Sequence, residues 1–488
     1  MKNSVYGKWI PVIGLEIHVQ LKTQSKIFAR SPNHFGDEPN TNIEFVDTGQ
    51  PGILPVLNRA VIDKAILFGH AIQGEIAEFS TFDRKSYFYP DSPKGYQITQ
   101  HEHPIIKGGQ IISDVDGETK IFQIDHAHLE EDAGMLKHFS NFSGVDYNRS
   151  GIPLLEIVSQ PCMFSAKEAV LFATTLKTIM EYLDLSDCTM EAGSLRIDVN
   201  VSVRLQEDKE LRNKAEIKNL NSFSAMETGI EAEVLRQICA YTDAPNENPY
   251  LVIPNSTVRL DVDKKKTIVM RSKEKAKDYR YCHDPDLPPI ILTKEEIAKI
   301  KTQCPELPHE RFKRYTEQLQ LTPYNASILI NDKMLSDYFE QAIKHCNHPT
   351  NLCNWITVEF VGRLRECRQQ LPTSGILPQH IATLVSHIDQ KRITGPIAKA
   401  IADIMVQHPG KDPQTIIKEN PHFQPIHDHD IIESIVDQII QENAQSVEDF
   451  KKGKDKAFNF LIGQIMKRSK GKASPDIVKE VLMKKILS

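Results

Sequence analysis

Glu16 and His18 stand two residues apart in Gly14-Leu-Glu-Ile-His-Val-Gln20. On a strand that interval puts a carboxylate and an imidazole on one face, about 7 Å apart at roughly 3.3 Å of rise per residue, a spacing that suits a shared divalent cation. More acids stand in other strand-like stretches. Glu130, Glu131 and Asp132 follow His126 and His128, Glu156 sits within Pro153-Leu-Leu-Glu-Ile-Val158, and Asp198 ends Leu195-Arg-Ile-Asp198. Carboxylates that converge from several strands need a cation to offset their repulsion. An oxygen-rich set with at most one imidazole favours Mg²⁺ or Mn²⁺ over Zn²⁺. Taken singly, each acid reads more simply as a solvated side chain on an outer strand face, so only the set speaks for a cation. Periodicity does not choose between Glu130 and Glu131.

Other groupings carry paired readings. In Phe82-Asp-Arg-Lys-Ser-Tyr-Phe-Tyr-Pro-Asp91 and Lys94, aromatic and basic residues interleave beside a turn. They suit stacking and phosphate pairing with an adenosine or a tRNA end, or simply form a tyrosine-rich strand edge. Alternation puts Lys214, Glu216 and Lys218 on one face, either for a triphosphate or as an ordinary ion-pair ladder. From Lys451 to Lys472 there are eight Lys and Arg, among them Lys451, Lys452, Lys454, Lys467, Arg468 and Lys470, against Asp455 alone. Such a run can neutralise RNA phosphates, or can be a solvated helix face. His427-Asp-His-Asp430 looks like a metal site but reads as an exposed loop, and Asp284-Pro-Asp286 either adds an acid near the sheet or ends the domain. No P-loop, G-x-G-x-x-G, H-E-x-x-H or G-x-S-x-G occurs.

Strands and helices must position these residues. Leu15, Ile17, Val19 and Leu21 alternate with Glu16, His18, Gln20 and Lys22, and Leu195–Leu205 alternates in the same way, which predicts half-buried strands. Ile121–Leu129, Leu154–Val158 and Lys214–Leu220 are further strand candidates, with helices over Ala60–Ile72 and Ala166–Leu183. No βαβ rhythm with a glycine-rich first turn is visible, so a mostly antiparallel sheet with one apolar face is expected. Past Pro288-Pro289 the period becomes helical. Thr293-Lys-Glu-Glu296 reads as a capping box, and Ile381, Leu384, Val385 and Ile388 form a core-facing stripe. Pro396 opens another helix, and the turn-rich His408–Pro413 precedes a helical tail with a stripe at Phe458, Leu461, Ile462, Ile465 and Met466. The expected fold is α+β: a β-rich cradle domain over 1–292, a helical domain over 293–408 and a helical tail domain over 409–488.

The 488 residues carry a net charge of −6, so any nucleic acid must be held by a local basic patch. Eight cysteines without a Cys-x-x-Cys pair suggest reduced, mostly buried thiols. No apolar run approaches a membrane span and the N-terminus lacks a secretory apolar core, so a cytoplasmic protein with no membrane partner is expected.

Several blocks resemble one family closely. They are Gly14–Gln20, Phe82–Asp91, His128-Leu-Glu-Glu-Asp-Ala-Gly134, Pro153–Val158, Gly193-Ser-Leu-Arg-Ile-Asp198, Glu216-Ile-Lys-Asn-Leu-Asn-Ser222, Asp278-Tyr-Arg-Tyr281, and a tail block from Ser446-Val-Glu-Asp-Phe450 to Gly463-Gln-Ile-Met466. In order and over nearly the whole chain, they are similar to the B subunits of bacterial aspartyl/glutamyl-tRNA amidotransferases. The resemblance implies ATP- and Mg²⁺-dependent phosphorylation of the side-chain carboxylate of Glu-tRNA(Gln), and of Asp-tRNA(Asn). Ammonia then forms the amide; it comes from glutamine hydrolysed on a separate amidase (A) subunit, with a small (C) subunit completing a heterotrimer. It implies that Glu16, His18, Glu131 and Glu156 bind metal, with Asp198 beside them, and so selects Glu131 over Glu130. Lys85 is expected to pair with phosphate and Lys94 to gate an ammonia channel with Glu131. Lys214 and Lys218 are expected to face the nucleotide, and the tail lysines the misacylated tRNA. Many relatives carry a four-cysteine zinc knuckle where residues 28–49 here have no cysteine, so no structural zinc is expected. Relatives usually read Tyr-Arg-Tyr-Phe-Pro-Glu-Pro-Asp where this chain has Tyr279-Arg-Tyr-Cys-His-Asp-Pro-Asp286. A non-catalytic tRNA-binding scaffold is the alternative reading.

Overall fold

The computed structural model describes residues 6–115, 118–272, 279–423, 429–451, 454–469, 473 and 475–487. The chain forms two compact units, Met1–Glu310 and Arg311–Ser488.

The first unit is built on a 13-stranded sheet. Ten of its strands, in chain order, are β1 (Trp9–Gln20), β2 (Asp83–Ser86), β3 (Tyr96–Thr99), β4 (Glu118–Glu131), β5 (Pro153–Ser159), β6 (Leu195–Leu205), β7 (Ala215–Lys218), β8 (Ser256–Asp261), β9 (Lys266–Ser272) and β10 (Cys282–His283). They lie side by side as β9-β8-β7-β6-β1-β5-β4-β3-β2-β10. The pairing is antiparallel except between β7 and β8. The long strands occur where the period of two runs unbroken, and β6 spans the residues expected for it.

The apolar alternates Leu15, Ile17, Val19, Ile197, Val199, Leu155 and Ile157 are buried in one core. Helices α1 (Arg59–Ala71), α2 (Ala166–Tyr182) and α3 (Phe223–Asp243) contribute Ile62, Phe172, Leu176, Met226 and Ile230 to it. Each such side chain fully buried is worth about 1.5–3 kcal/mol. Ser165 and Ser222 start α2 and α3 by accepting backbone N–H groups of Glu168 and Ala225. The sequence reading missed α3, because its buried face carries Gly229, Glu233 and Gln237 among the apolar residues. Glu233 is reconciled to burial by Arg236, Gln237 and Thr267, all of which donate to its carboxylate.

The capping box at Thr293 and Glu296 forms as expected and opens α4 (Lys294–Lys301). That helix still packs on the first core through Ile300, and Leu307 follows it, so the unit continues to Glu310 where the sequence suggested a break at 292.

The second unit is helical. One of its cores gathers Phe312 to Ile416, including Ile381, Leu384, Val385, Ile397, Ile401 and Met405; another gathers Ile432 to Ile486, including Leu461 and Ile465. Ile416 lies beyond the turn at His408–Pro413 yet belongs to the earlier core. No helix among the described residues is long and apolar enough to cross a membrane. The cysteines are free thiols, but Cys239, Cys282 and Cys367 are exposed, against the expectation of mostly buried ones.

Candidate active site

The polar alternates of the central strands form the site. Register places His18 opposite Glu156 on β5 and Arg196 on β6, Glu156 opposite His128 on β4, and Glu16 opposite Asp198. Directly opposed residues on paired strands approach to about 4.5–5.5 Å, closer than the roughly 7 Å between alternate residues on one strand. Glu16 and His18 therefore do not share a trio. His18 Nε2 lies 3.2 Å from Glu156 Oε2 and 3.6 Å from Glu130 Oε1. Glu16 gathers instead with Asp198 and Glu216. Within each trio the candidate ligand atoms lie within 4.8 Å of one another.

Glu130, not Glu131, completes the first trio. Neighbours on a strand face opposite ways, and Glu131 is occupied elsewhere: its Oε1 accepts the Ile98 N–H at 2.9 Å and its Oε2 lies 2.5 Å from Lys94 Nζ. Lys94 and Glu131 thus form a nearly buried ion pair at the wall of a cavity of about 380 Å³, which His18, Lys85, Glu130, Arg196 and Asp198 also line.

Three participants had no individual role in the sequence reading, although His128 and Asp132 were named beside the acids there. His128 Nε2 lies 3.4 Å from Glu156 Oε2 and 3.9 Å from Glu130 Oε2. Arg196 is held by Asp132 at 2.9 Å, and Asp132 also accepts from Gln20 at 2.8 Å. The signal for His128 and Arg196 was their place on the same alternation as Glu130 and Asp198; nothing local marked Asp132 as the anchor of Arg196.

The electrostatics follow from this convergence. Burial alone would lower the His128 imidazole, but hydrogen bonds and charges of Glu130 and Glu156 overcome it and its pKa is pushed up to about 9. His18 is raised against burial by the same two carboxylates, Glu156 foremost. Burial would raise Glu156, yet hydrogen bonds from His128 and His18 hold it well below the usual carboxylate range. Burial also opposes the charge of Lys85, and the facing Glu130, with Tyr281 and Glu156, raises it. Lys85 lies 5.1 Å from the centroid of the Tyr279 ring.

Two carboxylates and one imidazole make a donor set that fits Mg²⁺ or Mn²⁺, and the second trio is all oxygen. Beside it, Asn200 donates to Glu16 Oε1 at 2.8 Å while its own Oδ1 is buried without a hydrogen-bond partner, a further oxygen lone pair at the site. Lys218 lies 2.5 Å from Asp198 and 3.1 Å from Glu216. Lys214 parts from it: exposed just before β7, it lines a second cavity with Glu16 and Asn200.

Asp284 does not join the acids. It is fully buried and takes Arg84 Nε at 3.0 Å, while Asp286 takes Arg84 at 2.6 Å. In the tail, Lys451, Lys454, Lys467 and Arg468 are exposed, Lys454 beside Asp449 at 3.1 Å and Arg468 beside Glu442 at 2.7 Å. Lys452, Lys470, His427 and Asp428 lie outside the described residues, and His429 opens the helix His429–Glu442.

One pH effect follows from His128. Between the ordinary imidazole pKa of 6.5 and about 9, the folded chain keeps a proton that the unfolded chain has lost. The stability His128 contributes is whole below pH 6.5 and is lost as pH rises through about 9. In chelator-treated protein, the unfolding free energy from urea denaturation should fall across this window by about 3 kcal/mol more in the wild type than in His128→Gln. Equal slopes would show that the imidazolium is not held by these acids.

Residues 11–298 match the family described as the GatB/GatE catalytic domain, and residues 337–486 match the GatB domain. The chain is 54% identical over 481 residues to a Protochlamydia amoebophila protein named as the B subunit of an aspartyl/glutamyl-tRNA(Asn/Gln) amidotransferase, covering 99% of this chain and 97% of that one. A Chlamydia pneumoniae protein of the same name is 53% identical, with 99% of each chain covered. With both trios inside the first matched segment and the second unit largely spanned by the other, the chain belongs to the family of aspartyl/glutamyl-tRNA(Asn/Gln) amidotransferase B subunits.

Proposed function

We propose that this chain houses the ATP-dependent activation and amidation of the side-chain carboxylate of Glu-tRNA(Gln), and of Asp-tRNA(Asn), within a heterotrimer whose amidase (A) subunit supplies ammonia from glutamine and whose small (C) subunit completes the assembly. The observation that carries this reading is the convergence of His18, Glu130 and Glu156, with His18, Glu130 and Lys85 lining one cavity and a second oxygen trio on the same sheet face.

A carboxylate is a poor electrophile. Transfer of the γ-phosphoryl group to its oxygen creates a leaving group; ammonia then bonds to the carbonyl carbon, phosphate departs, and a proton is released. Phosphoryl transfer asks a protein for positioning and charge neutralisation rather than covalent chemistry. His18, Glu130 and Glu156 are the residues that would hold Mg²⁺, with Glu16, Asp198 and Glu216 as a second set. When bound, the cation supplies neutralisation of the triphosphate. Lys85 faces the first trio with its charge reinforced, poised to pair with the transferred phosphoryl, and Lys218 stands at the second. His128 keeps Glu130 and Glu156 oriented. The Lys94–Glu131 pair would govern the entry of ammonia. Exposed cations at Lys451, Lys454, Lys467 and Arg468 would contact tRNA phosphates, in a cytoplasmic setting.

The test is ATP- and ammonium-dependent amide formation on Glu-tRNA(Gln) by the assembled complex. His18→Ala should lower that rate by roughly 10²–10³-fold, as loss of a preorganised electrostatic group does, while tRNA binding persists. An unchanged rate would leave this chain a tRNA-binding scaffold and move the chemistry to another subunit.

A further inference from the structure

Lys26 has no exposed surface and takes no part in the steps above. Its ammonium lies 3.3 Å from Asp47 Oδ2 and donates to the Tyr147 carbonyl at 3.2 Å. Asp47 is only 2% exposed, and the same Oδ2 accepts the Ser31 hydroxyl at 2.5 Å and the Glu44 N–H at 2.9 Å. Gly151, at φ +81°, leaves room for the pair: a Cβ there would stand 2.7 Å from Asp47 Oδ1 and 3.3 Å from Lys26 Cδ. Desolvating two charges is costly, and such a pair is weak evidence for stability but can fix a geometry.

What it fixes is a turn. Thr48 N–H bonds the Glu44 carbonyl at 3.3 Å, Gly49 N–H that of Val46 at 3.2 Å, and Gln50 N–H that of Phe45 at 3.0 Å. Gly49, at φ +66°, is the face of the turn that touches Lys94: a Cβ there would lie 2.9 Å from Lys94 Cγ and 3.1 Å from its Cα. Lys94 itself sits in the connection between β2 and β3, where no strand ladder holds it.

We infer that the buried Lys26–Asp47 pair is a positioning element for Lys94: it pins the turn of residues 44–50, the bare Gly49 backbone seats the main chain and stem of Lys94, and the ammonium is thereby kept on Glu131. Its catalytic consequence rests on the proposed role of Lys94 and Glu131 in admitting ammonia; the positioning does not.

The experiment is acylation of the full-length chain with acetic anhydride, read residue by residue by mass spectrometry, with half-exposed Lys22 as the internal reference. Wild-type Lys94 should be protected by its ion pair. In Asp47→Asn and in Gly49→Ala its labelling relative to Lys22 should rise about tenfold, the scale on which loss of one charge-assisted hydrogen bond frees an ammonium. Asp47→Asn leaves Lys26 buried and unpaired; if that variant does not fold, Gly49→Ala, which keeps the pair, and Ser31→Ala, which trims one anchoring hydrogen bond, decide the matter. Folded variants with unchanged Lys94 labelling would overturn the inference. In the assembled complex, the ratio of glutamine-dependent to ammonium-dependent amidation should fall in these variants as in Lys94→Met. If labelling rises but Lys94→Met leaves that ratio unchanged, the positioning stands and the ammonia role of Lys94 falls.

Discussion

Glu130→Gln should lower ammonium-driven amidation of Glu-tRNA(Gln) by roughly 10²–10³-fold, the scale on which loss of one preorganised charge is felt. The amide keeps the volume of the side chain and removes its charge. Glu130 is buried, faces His18 at 3.6 Å and His128 at 3.9 Å, and accepts the Thr99 hydroxyl at 3.3 Å. Neutralised, it leaves the first trio with Glu156 as its single charged oxygen ligand and withdraws the charge that reinforces Lys85. Glu131→Gln is the control, one residue away. It breaks the pair with Lys94 but leaves the trio whole, so it should cost the ammonium-driven rate less than about tenfold, one pKa unit's worth of interaction, and the glutamine-driven rate more. The reverse ranking, with Glu131→Gln the more damaging when ammonium is supplied, would overturn the assignment of Glu130 to the trio.

Asp284→Ala should destabilise the first unit by about 2–4 kcal/mol. Removing one partner of a buried ion pair typically costs 3–5 kcal/mol, and the value is reduced because Arg84 is partly exposed and keeps Asp286. Urea denaturation of the full-length chain, with m unchanged, would measure it. Asp286→Ala removes a more exposed carboxylate and should cost below about 1 kcal/mol. The consequence reaches the site because Asp284 closes a clasp. Its N–H bonds the Phe82 carbonyl at 2.9 Å, Ser86 N–H bonds the Tyr279 carbonyl at 2.8 Å, and Tyr281 stacks on His101 with ring centroids 3.9 Å apart. Loosening the clasp frees the Tyr279 ring from Lys85. A loss for Asp284→Ala no larger than for Asp286→Ala would show that the clasp is not the element that fixes this segment.

Much of the fold could be read from residue order. The unbroken alternation of Leu195–Leu205 marked both the strand and its apolar face, and the Thr293–Glu296 capping box marked a helix start, because both signals are local. The family was also legible, since its blocks are contiguous. The polar face was legible only as a face. An alternation states which way Glu16, His18, Glu156 and Asp198 point, but not which of them meet, because that depends on strand neighbours and register between segments far apart in the chain. Register sent His18 to Glu156 and Glu130, sent Glu16 to Asp198 and Glu216, and left Glu131 to Lys94. Likewise Glu442 and Asp449, both outside the basic run, draw in Arg468 and Lys454. Composition and periodicity fixed the kinds of groups that a sheet face would offer. Tertiary pairing alone decided their partners, because electrostatic and ligand contacts act over a few ångströms of space, whatever the distance along the chain.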